Sequence, residues 1–276
     1  MKQRMNIGLC EWSLPPMGAY VCKLAKEFGF DGVQLDFSSK NEVFPLSEKV
    51  VQQSYLEMAQ TYDVKLPSMT VTELGRQSLV AEEGSEESRE IINIIKQAID
   101  AAAAMNIELV MLPSFGKSAL TTDNMSRATH VFKHVCAYAS RHSINIASEN
   151  TLSIEEGIAL YKAVDYDNFY LYMDTQNYYL NKGWYTPELL EALLPYSWPE
   201  VHVKDGAEGE LSAALLGDGA SQFVHSMEKL SEQSFTGWLI AENYYYKEPL
   251  KSRSDDPLKL VAEDVKRMQD VVKRLF

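Results

Sequence analysis

Short apolar runs alternate with amphipathic segments along the whole chain. Eight of these runs have the length and residue types of buried strands. Roughly 25 to 45 residues separate the start of each run from the next, which leaves room for a helix and two loops. The predicted strands are Asn6–Glu11, Gly32–Asp36, Lys65–Met69, Leu109–Leu112, Asn145–Ser148, Tyr170–Met173, Val201–Val203 and Trp238–Ala241.

The intervening segments show helical periodicity. In Ser88–Met105, Ile91, Ile95 and Ile99 recur on one face, as expected for a helix packed on a sheet. The other predicted helices are Tyr20–Phe28, with Gly29 as its C-cap, Met125–Ser140, a helix capped by Thr186 before Pro187, and Asp264–Phe276. No linker divides the 276 residues. We therefore predict an α/β fold, a single (β/α)8 barrel over residues 1–276.

Four potential metal ligands follow the last four predicted strands. They are Glu149 in INIASEN, Asp174 in LYMDTQN, His202 in EVHVKDG and Glu242 in WLIAEN. The C-terminal ends of barrel strands share one face, so these side chains are expected to converge. Three carboxylates and an imidazole suit one Mn²⁺, Mg²⁺, Co²⁺ or Zn²⁺ ion. Taken singly, a carboxylate at a strand end is more often a helix cap or ion-pair partner, and a lone histidine is more often a structural residue than a ligand.

These motifs, in this order, resemble a known superfamily. GLCEWSLP, GFDGVQLDF, SEN, MDTQN, VHVKDG and IAEN are similar to segments of the xylose-isomerase-like TIM-barrel superfamily. Within it they resemble the sugar-phosphate isomerase/epimerase branch, which includes L-ribulose-5-phosphate 3-epimerases and ketose 3-epimerases. The resemblance implies one divalent metal ion held by Glu149, Asp174, His202 and Glu242. It also implies that Glu149 and Glu242 exchange protons with a bound sugar.

Other functions of the same superfamily remain as alternatives. One is a lyase similar to the inosose dehydratases, which uses related enediol chemistry. Another is an apurinic endonuclease, whose trinuclear zinc site needs a histidine at the position that Asn177 occupies here. A third is a barrel that binds sugars without catalysis.

Several further residues are candidates for substrate contact. Trp12, Lys204 and Asn177 are expected to bind the carbohydrate, although Lys204 is equally suited to an ion pair. A phosphate group has three candidate sites: the turn Gly217-Asp218-Gly219, Arg76 and Lys117. The alternative for the turn is an ordinary tight turn, and the alternative for Arg76 and Lys117 is solvated surface charge. Aromatic side chains suited to sugar stacking cluster near the expected mouth: Trp12, Tyr178, Tyr179, Trp184, Tyr244, Tyr245 and Tyr246.

The overall charge limits the choice of partner. A net charge of −13 and a pI near 4.9 disfavour nucleic acid and anionic membranes as partners. Cys10, Cys22 and Cys136 show no metal-binding spacing and are expected to be free thiols. No apolar run has the roughly 20 residues of a membrane span. We expect a soluble cytoplasmic protein with a small-molecule carbohydrate substrate, and a homo-oligomer is compatible with the sequence.

Overall fold

The computed structural model describes residues 5–207 and 209–276. Eight parallel strands close into one barrel in the order β1 to β8, which confirms the predicted α/β fold, a single (β/α)8 TIM barrel. Residues 1–4 and 208 of the predicted domain lie outside the described residues. The strands are β1 Asn6–Cys10, β2 Gly32–Asp36, β3 Ser68–Thr70, β4 Leu109–Pro113, β5 Asn145–Glu149, β6 Phe169–Asp174, β7 Ser197–Val203 and β8 Trp238–Ala241.

An outer layer of helices covers the barrel, as its buried apolar stripes require. The α-helices of the described residues are α1 Val21–Phe28, α2 Lys49–Tyr62, α3 Glu86–Ala104, α4 Met125–Ala139, α5 Ile154–Val164, α6 Asn177–Lys182, α7 Thr186–Leu193, α8 Phe223–Glu232 and α9 Pro257–Leu275.

Local sequence explains where several helices begin and end. Ile91, Ile95 and Ile99 are buried against the barrel, so the predicted stripe of α3 is confirmed. Gly29 follows α1 with φ +87° and donates its N–H back to the helix, as a left-handed C-cap does. Helix α7 begins where predicted, but Thr186 is not its cap. The cap position belongs to Tyr185, and the Thr186 hydroxyl is buried without a hydrogen bond.

The remaining differences concern strand and helix ends. Strand β3 begins at Ser68 rather than Lys65, because Pro67 has no N–H to donate to a sheet and Lys65 forms only an isolated bridge to Gly32. Strand β7 starts four residues earlier than predicted. Helix α9 begins at Pro257, capped by Asp256, and not at Asp264 as predicted.

Parallel register brings the ends of β5 to β8 to one level. Asp174 pairs with His202 across β6 and β7. Pro113 pairs with Glu149 across β4 and β5. Glu242 directly follows β8, and its N–H donates to the Val203 carbonyl on β7. The four predicted ligands therefore enter the same end of the barrel.

Two further expectations concern the chain as a whole. Cys10, Cys22 and Cys136 are all buried and free, as predicted. Among the described residues, none of the helices combines the length and the apolar character needed to cross a bilayer.

Candidate active site

The four predicted ligands meet at the C-terminal end of the barrel. One ligand atom from each of Glu149, Asp174, His202 and Glu242 lies within 4.8 Å of all the others, and all four residues are buried. His202 Nδ1 faces the carboxylates, at 3.2 Å from Glu149 Oε1 and 3.0 Å from Glu242 Oε2. Two ligands on opposite sides of a shared ion stand at most about 4.6 Å apart, twice a typical bond length of about 2.3 Å. The cluster thus has close to the dimensions of a one-ion site.

The two oxygens of the Asp174 carboxylate have different partners. Its Oδ1 accepts the backbone N–H groups of Gln176 and Asn177 at the start of α6. Its Oδ2 is buried and accepts no hydrogen bond, although Lys204 Nζ lies 3.0 Å away as an ion-pair partner. A buried carboxylate oxygen without a donor is costly unless a cation or proton attends it. The Lys204 ammonium meets part of this requirement, and Oδ2, which accepts no hydrogen bond, is the Asp174 atom that would bind a metal ion.

The charges in the cluster also match a divalent cation. Three carboxylates face one lysine, Lys204, which contacts both Asp174 and Glu242. With His202 neutral, the site therefore retains two uncompensated negative charges. Carboxylate oxygens and one imidazole nitrogen are the donors that Mn²⁺, Mg²⁺, Co²⁺ and Zn²⁺ accept. The residues present therefore fit one such ion.

Without an ion, the ionisable groups perturb one another strongly. Burial raises the pKa of Glu149, and the charge of Glu242 adds to this effect. Burial opposes ionisation of Glu242 too, but the charges of His202 and Lys204 outweigh it and lower the pKa of Glu242. Burial alone would lower the pKa of His202, yet the carboxylates, led by Glu242, raise it well above the ordinary value. The carboxylates thus hold a positive charge at this position, as they would for a bound cation.

A cavity of about 300 Å³ opens next to the cluster, which is within the size range of small-molecule sites. Glu149, Glu242 and Lys204 contribute polar groups to its lining. Apolar side chains also line it, among them Met111, Phe115, Leu180 and Leu211. A small ligand with one polar, oxygen-rich part and one less polar part suits this shape.

The structure places the three predicted substrate-binding residues in the lining of this cavity. Trp12 donates its indole N–H to Glu242 Oε1 at 3.1 Å. Asn177 donates its side-chain amide to Glu149 Oε1 at 3.1 Å. Lys204 pairs with Asp174 and contacts Glu242. Each of them holds a candidate metal ligand while also facing the cavity.

The turn Gly217-Asp218-Gly219 does not provide a phosphate site. The N–H groups of Gly217 and Gly219 already donate to Asp205 Oδ2, at 2.9 and 3.1 Å. Asp205 also accepts the N–H and hydroxyl of Ser221. A Cβ at Gly219 would lie 2.1 Å from Asp205 Oδ1, so this glycine allows the close approach. The aspartate itself therefore occupies the position where a phosphate was expected.

The remaining candidates divide between the mouth and the core. Arg76 lines a neighbouring cavity of about 440 Å³ but already forms an ion pair with Glu73 at 2.7 Å. Lys117 is exposed and lines none of the cavities described here. Among the aromatics, Tyr244 and Tyr246 line these cavities, whereas Tyr178 and Tyr245 are buried in the core and Trp184 packs beside it.

A buried polar chain behind His202 escaped the sequence analysis. Gln34 on β2, Ser68 on β3, Tyr172 on β6 and Glu200 on β7 lie inside the barrel, connected by hydrogen bonds. Strand alternation is a signal that would have found Glu200, since it precedes His202 by two residues and so points to the same side.

Fold and site together define a barrel with a candidate one-ion centre at its C-terminal mouth. A family model described as xylose isomerase-like TIM barrel matches residues 22–271. The chain therefore belongs to this family, as its motifs predicted.

Individual relatives agree with this assignment. The chain is 29% identical over 219 residues to a 2-epi-5-epi-valiolone 7-phosphate 2-epimerase of Actinoplanes sp., covering 78% of this chain and 77% of the relative. Its fold is similar to that of a D-psicose 3-epimerase with D-tagatose from Clostridium cellulolyticum H10, at TM-score 0.77, 14% identity and coverage of 98% and 99%. A structure of the IOLI protein with a zinc atom is similar at TM-score 0.78, 16% identity and coverage of 99% for both chains.

Proposed function

We propose that the protein is a divalent-metal-dependent epimerase or isomerase of a sugar or sugar phosphate. The observation that carries this proposal is the convergence of Glu149, Asp174, His202 and Glu242 beside a small-molecule cavity. The relative of 29% identity is named as an epimerase of a 7-phosphate, which supports the reaction type. The family assignment supports the same class.

Epimerisation next to a carbonyl needs a proton removed from one face of a carbon and returned to the other. Glu149 ends β5 and Glu242 directly follows β8, and both line the cavity. In the proposed reaction, one of these carboxylates takes the proton and leaves an enediolate. The other then donates a proton to the opposite face, and the two roles exchange in the reverse direction. Glu149, Asp174, His202 and Glu242 would hold a divalent cation, which would supply positive charge to stabilise developing negative charge on the substrate.

Three neighbouring residues prepare the two glutamates for this work. Trp12 donates to Glu242 and Asn177 donates to Glu149. Each hydrogen bond holds one oxygen of the carboxylate in place and so orients the group. Lys204 Nζ contacts Glu242 Oε2 and faces the cavity, where an ammonium group suits a substrate oxygen. We propose these three residues as the substrate-positioning set.

The test is a product analysis in D2O with the Co²⁺-loaded protein. Ketoses, ketose phosphates and inososes are supplied separately, and the products are examined by NMR. An epimerase incorporates one deuterium at the inverted carbon. A dehydratase instead releases water and forms an unsaturated or dicarbonyl product. Metal-free protein is the control and is expected to show no turnover.

The outcome separates the proposal from its alternatives. Deuterium at an inverted carbon of one substrate supports the epimerase. Loss of water from an inosose would assign the lyase, and transfer of hydrogen between carbons without solvent exchange would indicate a hydride-shift isomerase. Absence of Co²⁺ binding would contradict the metal-dependent proposal as a whole.

A further inference from the structure

The ring nitrogen of His202 that faces away from the carboxylates joins a buried hydrogen-bond chain. His202 Nε2 lies 2.7 Å from the Gln34 Oε1. The Gln34 amide nitrogen lies 2.9 Å from the Ser68 hydroxyl and 3.2 Å from the Tyr172 hydroxyl. Both hydroxyls reach Glu200 Oε2, at 2.6 and 3.3 Å. Trp198 closes the chain by donating to Glu200 Oε1 at 3.3 Å.

The direction of every bond in this chain follows from its far end. The Trp198 indole can only donate. Burial raises the pKa of Glu200, but its contacts with Ser68, Trp198 and Tyr172 act in the opposite direction, and we take it as the ionised acceptor that these three donors favour. The hydroxyl hydrogens of Ser68 and Tyr172 are therefore committed to Glu200, and their oxygens accept.

It follows that Gln34 turns its amide nitrogen toward the two hydroxyls and its oxygen toward His202. Amide orientation is assigned from such networks, and here the network leaves one choice. His202 Nε2 must then carry a hydrogen, so Nδ1 presents its lone pair to the carboxylates when the ring is neutral.

We propose that Gln34 and Glu200 are positioning residues that hold His202 in its metal-binding tautomer. The proposal rests on the metal site proposed above. Glu200 makes none of the hydrogen bonds of the ligand cluster; it is linked to His202 through Ser68, Tyr172 and Gln34, and also by its charge. Residues that accept the second N–H of a ligand histidine commonly affect metal affinity by about 10- to 100-fold.

A nearly isosteric substitution, Glu200→Gln, tests the direction of the chain. Trp198 requires an acceptor, so the new amide oxygen faces Trp198 and the new NH2 faces Ser68 and Tyr172. Their hydroxyls must then donate to Gln34, which reverses its amide and presents NH2 to His202 Nε2. The hydrogen of a neutral ring moves to Nδ1, where it blocks the ligand position. We expect the dissociation constant for Co²⁺, measured by chelator competition, to rise about 10- to 100-fold.

A double substitution, Gln34→Glu with Glu200→Gln, exchanges the two groups and supplies the control. The carboxylate then accepts from His202 and from both hydroxyls, while the amide donates to the hydroxyl oxygens and accepts from Trp198. Every bond is satisfied and His202 Nε2 again carries the hydrogen. We expect Co²⁺ affinity to return to within about threefold of wild type, which loss of packing alone would not allow.

The outcomes distinguish the positioning role of Gln34 and Glu200 from the metal site itself. If the wild-type protein fails to bind Co²⁺, the proposed function and the positioning role both fail. Normal Co²⁺ affinity in Glu200→Gln overturns the positioning role alone, as does a double variant that folds like wild type and still binds Co²⁺ weakly. The unfolding temperature of each metal-free variant reports whether it folds.

If Glu200→Gln does not fold, Gln34→Met removes the acceptor with little change in size. Its matched control is Gln52→Met, since Gln52 is also buried but hydrogen-bonds to the Leu46 carbonyl, away from the site. Both are expected to be less stable, and only Gln34→Met is expected to bind Co²⁺ at least tenfold more weakly. Equal Co²⁺ affinities in the two variants overturn the proposal.

Discussion

Two groups of three carboxylates lie at the same mouth of the barrel, and only one resembles a metal site. Glu149, Asp174 and Glu242 form the first group, with His202 and Lys204. We call Glu11, Asp36 and Glu73 the neighbouring carboxylates; Glu11 and Asp36 line the cavity of about 440 Å³. In both groups, the carboxylates lie at the last residue of a strand or shortly after it. Position on the fold therefore does not distinguish them.

The difference lies in the hydrogen-bond donors that the protein supplies. Both Glu11 oxygens accept, from Tyr55 and from the Asp36 N–H. Both Asp36 oxygens accept as well, from hydroxyls of Ser38 and Thr72. Glu73 accepts from Ser39 and pairs with Arg76 through both of its oxygens.

The first group lacks a hydrogen bond at one Asp174 oxygen. Asp174 Oδ2 accepts no hydrogen bond, and the ligand atoms of four different strand ends converge within 4.8 Å. A carboxylate that the protein has fully solvated with its own donors has little to gain from a cation. One that converges with others and lacks donors can be stabilised by an ion. The same residue type thus serves structure in one group and, as proposed, chemistry in the other.

The largest expected effect comes from neutralising the proposed proton-transfer groups. Glu149→Gln and Glu242→Gln, each assayed with saturating metal, are expected to lower turnover by at least about 10²- to 10⁴-fold. Glu73→Gln is the matched control from the neighbouring carboxylates and is expected to stay within a few-fold of wild type. Near-normal turnover in either site variant would contradict the two-glutamate mechanism.

The second prediction separates the two aspartates by metal affinity. Asp174→Asn keeps an oxygen for the N–H groups of Gln176 and Asn177 but places NH2 where a cation would bind. We expect its Co²⁺ affinity to fall by at least about 100-fold, measured by chelator competition, since outer residues alone typically contribute 10- to 100-fold. Asp36→Asn should leave Co²⁺ affinity unchanged. If both variants bind Co²⁺ equally well, the comparison between the two groups fails.

These contrasts also show how far the sequence alone can lead. The barrel was predictable because each buried strand forms a compact apolar run with a helical segment after it, as β4 and α4 do. The convergence of Glu149, Asp174, His202 and Glu242 followed from strand order, because every strand of a parallel barrel ends at the same face.

Hydrogen-bond partners were the part that the sequence could not reveal. Glu11 and Asp36 also follow strands, and nothing in GLCEWS or QLDF says that Tyr55 and Thr72 will donate to them. The Gly217-Asp218-Gly219 turn had the pattern of a phosphate loop, yet Asp205 fills it from 12 to 14 residues away in the chain. Such contacts depend on loop paths that periodicity does not encode.

A smaller effect is expected at the indole of Trp12, which lines both cavities and donates to Glu242. Trp12→Phe keeps an aromatic face but loses this bond. A hydrogen bond to a charged group is worth about 1.5–3 kcal/mol, and partial exposure of Trp12 favours the lower end. We expect about a tenfold loss in kcat with a smaller change in KM. Trp184→Phe, outside both cavities, is the control; an equal loss there would mean that the effect is not specific to Glu242.

The smallest effect is expected in stability, at Glu11 among the neighbouring carboxylates. Burial raises the pKa of Glu11 to about 7, although Tyr55 and the Asp36 N–H act in the opposite direction. The unfolded chain has a glutamate pKa near 4.3, so the folded state binds this proton more tightly. The resulting stabilisation is complete below about pH 4.3 and is lost as the pH rises through about 7.

Glu11→Gln removes this titration while keeping the side chain's shape. Relative to wild type, the variant's unfolding temperature is therefore expected to increase by a few degrees between pH 5 and pH 8. Glu57→Gln, at an exposed position on α2, should show a difference that does not change with pH. A Glu11→Gln difference that is flat or falls with pH would mean that Glu11 is ionised throughout this range. The neighbouring carboxylates would then hold their charge on protein donors alone, and the contrast with Asp174 Oδ2, which accepts no hydrogen bond, would become sharper.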